Sequence, residues 1–178
     1  ILAPFDDDMV VVAERKLRDN GIKLILNNGV SAFNELENEV EIVLQSGDRI
    51  TADCVILAVG VAPDTGFLKD SGIELSATGH ILVNNKMETN IEGVYAGGDA
   101  VEVIDFVNGT QTAIPLAGPA DKQGRIIADN ISGLSSTYKN TQGTSVIKIF
   151  DLTCAATGNN EKILKRLDIP YKLSLIHI

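Results

Sequence analysis

The sequence predicts an α/β fold, because segments with helical periodicity alternate with short apolar runs typical of strands. Residues 6–8 are three acids that suit a helix N-terminus, and apolar side chains then recur on one helical face as far as residue 20. Residues 55–59 are continuously apolar, which is typical of a parallel strand covered on both faces. A second helix is predicted for residues 118–131, with Pro119 in its first turn and Gly133 after its end.

The remaining elements follow from the same patterns. The turn sequence "QSGD" separates residues 40–44 from 49–51 and predicts a β-hairpin. Short strands are predicted at 22–26, 81–83, 94–95 and 145–150, a helical turn at 67–71, a loop at 105–115 and a last helix at 161–167.

Composition narrows the class of protein. A chain of 178 residues with 44% hydrophobic composition is long enough for one full core or two modest ones. No apolar stretch approaches the ~20 residues of a membrane span, and the net charge of -9 argues against a nucleic-acid partner. Cys54 and Cys154 lie far apart without CxxC spacing, which fits a reducing compartment. The sequence therefore predicts a soluble, cytoplasmic protein.

Common catalytic and metal-binding motifs are absent from the sequence. His80 and His177 are isolated from other potential ligands, so no metal site is predicted. There is no GxSxG elbow, and no GxGxxG fingerprint of a complete dinucleotide site occurs.

One small-residue stretch has two interpretations. The segment Ala96-Gly97-Gly98-Asp99 follows an apolar pair, and its glycines permit a tight turn or a close approach of another group. Asp99 is either a turn residue whose carboxylate binds nearby backbone amides, or a ligand contact at a strand end. The stretch by itself leaves both open.

Three stretches together resemble the pyridine nucleotide-disulfide oxidoreductase family of flavoproteins. They are "DCVILAVGVAPDT" (53–65), "TNIEGVYAGGDA" (89–100) and "IPLAGPADKQGRIIADNI" (114–131), in the family's order and spacing. A fourth, "SVIKIFDLTCAATG" (145–158), resembles the start of the dimer-interface domain in the branch of coenzyme A-disulfide reductases, NADH oxidases and NADH peroxidases.

The resemblance implies partial Rossmann-like FAD- and NAD(P)-binding domains and the start of an α+β dimerisation domain. By it, residues 1–62 are the C-terminal part of the NAD(P)-binding domain, 63–133 the returning segment of the FAD-binding domain, and 140–178 a truncated interface domain. The abrupt start and the ending "LSLIHI" favour an internal fragment. The family's redox cysteine would lie upstream, so no catalytic residue is assigned in this sequence.

The resemblance also assigns residues to FAD. Asp99 would accept hydrogen bonds from the ribityl hydroxyls, and Gly98 would leave room for the polyol chain. Leu116, Ala117 and Gly118 would contact the isoalloxazine ring through their backbone, at the positive end of a helix. The alternative for these last three is a simple helix start.

Two further residues are assigned to NAD(P)H by resemblance. Gly60 corresponds to the glycine over which the nicotinamide nucleotide passes, and Pro115 lies on the nicotinamide side of the site. Either residue is also compatible with an ordinary turn.

The implied function is hydride transfer from NAD(P)H through flavin to a disulfide-type acceptor, most like a coenzyme A-disulfide reductase. Persulfide, oxygen and peroxide remain possible acceptors, as in NADH oxidases, NADH peroxidases and ferredoxin-type reductases. The intact protein is expected to be a homodimer, and the fragment alone inactive. A non-catalytic α/β interaction module is the alternative from another class.

Overall fold

The computed structural model describes residue 2 and residues 4–174, so the expectation about the last residues of the sequence lies outside the described part. The chain divides into two compact units. One unit is Val12–Val61, and the other combines the residues up to Val11 with the chain from Ala62 onward. Each unit is described by itself.

Helix α1, Asp7–Asp19, confirms the first predicted helix. Acids in its first turn and bases in its last turn complement the helix dipole. Val10 and Ala13 are buried. The capping prediction is only partly right: the Asp6 carbonyl accepts the N–H of Val10, but the Asp6 carboxylate binds a different helix, described below.

An antiparallel three-stranded sheet forms the body of the unit Val12–Val61, in the order β1-β2-β3. The predicted hairpin is confirmed as β2, Val40–Leu44, and β3, Arg49–Ala52. Strand β1, Val30–Glu35, was not predicted. A register shift between Val30 and Ala32 interrupts the two-residue alternation that would have identified it.

Two predicted strands in this unit are not found. Residues 22–26 and 55–59 have no strand hydrogen bonding within the described part of the chain. The expected double-sided burial of 55–59 is also wrong, because Ile56 is 87% and Val59 91% exposed. An apolar run shows that a segment needs cover, but a strand forms only where a neighbouring strand accepts its backbone hydrogen bonds.

The unit that contains the chain from Ala62 onward is built around a second small sheet. Strand β4, Ile81–Leu82, pairs in parallel with β5, Val101–Ile104, which pairs antiparallel with β6, Gln111–Thr112. The predicted loop at 105–115 was therefore partly wrong. The predicted strand at 94–95 is reduced to one bridge between Glu88 and Tyr95.

Helix α2, Ala117–Ile131, confirms the second predicted helix and packs on the core of this unit. The core is the buried cluster of Met87, Val101, Val103 and Tyr138, with Ile126 and Ile127 of α2 packed against it. Gly133, with a φ of +83°, follows the end of the helix as predicted.

The last part of the described chain is a hairpin followed by a short helix. Strand β7, Ser145–Ile149, pairs with β8, Leu152–Ala156, and α3 spans Glu161–Arg166. The predicted helical turn at 67–71 appears as a 3-10 turn, Gly66–Leu68. None of the helices in the described residues is long and apolar enough to cross a lipid bilayer.

Candidate functional site

Asp99 lies in an exposed turn that leads into strand β5. Gly98 adopts a φ of +88°, a conformation that favours glycine, and its carbonyl accepts a long 3.5 Å hydrogen bond from the N–H of Val101. Among the residues that the structure describes, none donates a hydrogen bond to the Asp99 carboxylate or forms an ion pair with it. The carboxylate is thus not used as a turn cap, and its acceptor capacity is open to solvent.

The two glycines before Asp99 serve different purposes. A Cβ atom on Gly97 would lie 3.0 Å from Cδ1 of Ile127 and 3.4 Å from Cβ of Gln123, so a side chain would crowd these two residues of helix α2. A Cβ on Gly98 would meet nothing within 4 Å. Gly97 therefore permits close packing, whereas Gly98 supplies the backbone conformation of the turn.

Gln123 connects this turn to helix α2 and was missed in the sequence analysis. Its side chain is 2% exposed, and its Oε1 accepts the N–H of Gly98 at 2.7 Å. A signal was present, since Gln123 lies one turn before Ile127 and therefore on the same face of the helix as this apolar residue. A buried polar residue on such a face requires a partner.

Helix α2 begins without a side-chain cap. Leu116 is the N-cap residue, with a φ of −137° and a ψ of 142°, and no side chain bonds the first amides of the helix. In the described part of the chain, the N–H groups of Ala117 and Gly118 have no hydrogen-bond acceptor, while Pro119 has no N–H to offer. Two amide donors therefore remain at the positive end of the helix dipole.

The start of α2 is accessible from solvent. Leu116 is half-buried, whereas Ala117, Gly118 and Pro115 are exposed. A groove of ≈ 490 Å³ lies beside the first turn, with Gly118 and Lys122 on one side. Phe106 and polar residues of the segment 140–144 line the rest. A ligand can therefore approach the free amides without displacing a side-chain cap.

The two residues assigned to NAD(P)H are both found at backbone bends. Pro115 is the apex of a tight turn in which the N–H of Leu116 donates to the carbonyl of Ile114 at 2.9 Å. Gly60 has a φ of +96°, is exposed and has open space where a Cβ would stand. It belongs to the unit Val12–Val61, and the other candidate residues belong to the second unit.

The comparison with known proteins decides the family. The family model described as pyridine nucleotide-disulphide oxidoreductase matches residues 1–124. The chain belongs to this family. The resemblance inferred from the sequence motifs is confirmed, and so is the α/β, Rossmann-type fold class, of which the chain covers a part.

Individual relatives and solved structures carry the similarity past residue 124. The NAD(P)H sulfur oxidoreductase (CoA-dependent) of Pyrococcus furiosus is 34% identical over 167 residues, which are 93% of this chain and 37% of that protein. The NADH oxidase of Methanocaldococcus jannaschii is 36% identical over 153 residues, 86% of this chain and 34% of that protein. The crystal structure of reduced Bacillus anthracis CoADR-RHD is 46% identical with a TM-score of 0.91, covering 97% of this chain and 31% of that one.

The matches cover most of this chain but only part of each relative. The chain spans about a third of the length of the curated relatives it matches. The relatives are named NAD(P)H oxidoreductases, and the family uses FAD and NAD(P)H. The sulfur-acting and oxidase relatives are the same group to which the sequence motifs pointed.

Proposed function

We propose that the protein is an FAD-dependent oxidoreductase that passes electrons from NAD(P)H through flavin to a disulfide-type acceptor, most like a coenzyme A-disulfide reductase. The observation that carries the proposal is the pairing of the Asp99 carboxylate, which has no partner among the described residues, with an uncapped helix start at Leu116, both in the unit built around one core. The names of the relatives support the acceptor class, since they include a CoA-dependent sulfur oxidoreductase and CoADR-RHD.

The residues present fit FAD. An ionised carboxylate only accepts hydrogen bonds, so Asp99 suits the hydroxyls of a ribityl chain, which are donors. Gly98 leaves open space next to it. The described side chains do not compete for the carboxylate, and it would bind a polyol without first breaking an internal contact.

The start of α2 fits the ring end of the same cofactor. The free N–H groups of Ala117 and Gly118 would donate to ring oxygen and nitrogen atoms, and the helix dipole would favour negative charge there. The chemistry supplied by bound FAD is two-electron transfer from NAD(P)H to the acceptor. The residues of this chain bind and orient the group and stabilise charge at its ring edge.

Gly60 and Pro115 are each proposed to contact NAD(P)H. Gly60 has no side chain that would obstruct a planar ring, and its positive φ would strain any replacement. Pro115 immediately precedes the residues assigned to the flavin ring, which suits a position between the two cofactors. Residues 1–62 are proposed as part of the NAD(P)-binding domain and 63–133 as part of the FAD-binding domain.

The intact enzyme is proposed to be a cytoplasmic homodimer that uses residues 140–178 as the start of its interface domain. Support comes from the motif at residues 145–158, which forms the hairpin β7–β8. Its second half-reaction would use a cysteine outside this chain. Cys54 and Cys154 are proposed to have no catalytic role.

The central test is the flavin content of the full-length enzyme that contains this chain. Replacing Asp99 by Ala should lower FAD retention, because the hydroxyls lose their acceptor. Asp99→Asn keeps one acceptor oxygen, so its FAD retention should fall between that of the wild type and that of Asp99→Ala. Asp121→Ala is a matched control, since Asp121 is an exposed acid on α2 whose only described partner is Arg125. Unchanged flavin content in Asp99→Ala would remove this residue from the site.

An NADH oxidase is the second candidate, because the Methanocaldococcus jannaschii relative bears that name. The two activities differ in acceptor and product. Oxidation of NAD(P)H that requires coenzyme A disulfide or persulfide and continues without oxygen would support the reductase. Turnover that stops when oxygen is removed would support the oxidase.

A further inference from the structure

We propose that Gln123 is a positioning residue that holds the Asp99 turn on helix α2, so that the carboxylate and the helix start act on one flavin molecule. The inference rests on the proposed function and extends it to a residue that does not touch the cofactor. Gln123 acts through Gly98, whose N–H donates to its Oε1 at 2.7 Å.

Outside the bond to Gln123, the backbone of the turn is held beside Asp99 by the carbonyl of Ala100, which accepts the N–H of Ile81 at 2.8 Å. Among the described residues, no side chain other than Gln123 hydrogen-bonds Gly98 or Asp99, and the turn's own hydrogen bond, from the Val101 N–H to the Gly98 carbonyl, is 3.5 Å long. The bond from the Gly98 N–H to Gln123 is much shorter, at 2.7 Å. Because it ends on the residue directly before Asp99, it restricts the backbone from which the carboxylate projects.

Burial and close packing around Gln123 hold its hydrogen bond to Gly98 in place. Its side chain is 2% exposed, so the amide oxygen is desolvated and an unpaired oxygen there would be costly. Gly97 packs closely on Gln123 and Ile127, and a Cβ there would lie only 3.0 Å from Cδ1 of Ile127. Ala96 before the turn and Val101 after it belong to the core that Ile127 also contacts. The turn is therefore fixed at both of its ends and at Gly98.

The position of Gln123 along α2 explains why fixing the Asp99 turn matters for the cofactor. It lies six residues after Ala117, a rise of roughly 9 Å along the helix axis. The helix is continuous between the two positions. The Asp99 turn and the free amides of the helix start are consequently attached to one rigid element, and their separation is set by the helix.

The test is a double-mutant cycle on FAD affinity in the full-length enzyme. Gln123→Met keeps the length and apolar stem of the side chain but removes the acceptor. We expect it to raise the FAD dissociation constant roughly tenfold, the size of one lost hydrogen bond. In an Asp99→Ala background the same change should have little further effect, because the carboxylate that it positions is gone.

Additional variants separate positioning from stability. Gln123→Glu retains a side-chain oxygen that accepts from Gly98, so it should keep more of the affinity than Gln123→Met, although it buries a carboxylate. Arg125→Met, on the exposed side of the same helix, should leave the dissociation constant unchanged. If Gln123→Met does not fold, Gln123→Asn withdraws the acceptor while remaining polar, and the cycle is run with it.

Different results would overturn the positioning role of Gln123 and the proposed function of the enzyme. Additive effects of the Asp99 and Gln123 substitutions would overturn the positioning role and leave a general loss of stability. An unchanged dissociation constant in Gln123→Met would overturn it as well. A wild-type enzyme that binds no FAD would instead refute the proposed function.

Discussion

The carboxylate of Asp6 caps a helix that begins 155 residues further along the chain. Its Oδ2 accepts the N–H of Glu161 at 3.0 Å, and its Oδ1 accepts the N–H of Lys162 at 3.2 Å. The helix's own N-cap residue, Asn160, accepts the N–H of Ile163 at 2.9 Å. Helix α3 has only six residues, too few to be stable alone, so it depends on these contacts.

Removing this cap should loosen α3. We expect Asp6→Ala to lower the free energy of unfolding by about 1–2 kcal/mol, since two helix-terminal amides lose their acceptor. Hydrogen exchange at Glu161 and Lys162 should accelerate more than exchange in α2. Asp8→Ala is the control, because within the described part of the chain the Asp8 side chain accepts only the N–H of its neighbour Met9. Equal effects of the two substitutions would contradict the capping role.

The stability of the same region should decrease in acid. The Tyr171 hydroxyl, and next the Lys165 ammonium, donate to the Glu161 carboxylate and hold its pKa below the ordinary value of 4.5. Lys162 likewise lowers the pKa of Asp7. A lowered folded-state pKa means that the stabilisation is present above the ordinary value and is lost as the pH falls through the lowered one.

The loss should be small, because these groups are exposed to solvent. Thermal unfolding measured between about pH 7 and pH 3 should show it as a decrease that Glu161→Gln makes shallower, since the glutamine has no proton to take up. High salt should also reduce the effect in the wild type. A Glu161→Gln variant with the wild-type pH dependence would exclude this carboxylate as a source.

Gly97 should tolerate a side chain only if Ile127 is shortened. Gly97→Ala places a Cβ 3.0 Å from Cδ1 of Ile127, and Gly97→Val adds further bulk, so both should reduce stability, Val by about 1–3 kcal/mol. Ile127→Val removes the Cδ1 atom and should recover part of the loss in Gly97→Ala. The comparison is made by urea unfolding of the single and double variants.

Gly98→Ala provides the contrast to Gly97→Ala. A Cβ at position 98 has open space, but the φ of +88° would strain an alanine by about 1–2 kcal/mol. Ile127→Val should give no recovery in this case, because the cost lies in the backbone. If Ile127→Val recovered stability in both Gly97→Ala and Gly98→Ala, crowding against α2 would not be what distinguishes Gly97 from Gly98.

The 178-residue chain by itself should bind FAD weakly or not at all. Its sequence contains no GxGxxG motif, which in dinucleotide-binding folds supplies the backbone contacts to the pyrophosphate. Asp99 and the start of α2 would contact only the ribityl and ring end. Purified chain is expected to be colourless, and a yellow preparation with stoichiometric flavin would show that the site is complete within these residues.

The sequence by itself determined the elements whose signals are local. Helices α1 and α2 were predicted within a residue or two, because amphipathic periodicity, acids in the first turn of α1 and Gly133 after α2 act within a few residues. The hairpin β2–β3 was predicted from its turn. The family was recognised from three motifs, and the comparison confirmed it.

Only the tertiary structure decided which groups meet. The apolar run 55–59 predicted a buried strand, but strand formation depends on a neighbour, and Val59 is 91% exposed. The acids at 6–8 predicted a cap, but only packing determined that Asp6 caps α3 as well as starting α1. In the sequence, Gln123 is one polar residue within a predicted helix. Its hydrogen bond to Gly98 joins positions 25 residues apart, so no local pattern indicates it. Local propensity acts over one or two turns of chain, whereas burial and hydrogen-bond partners are set by contacts between distant segments.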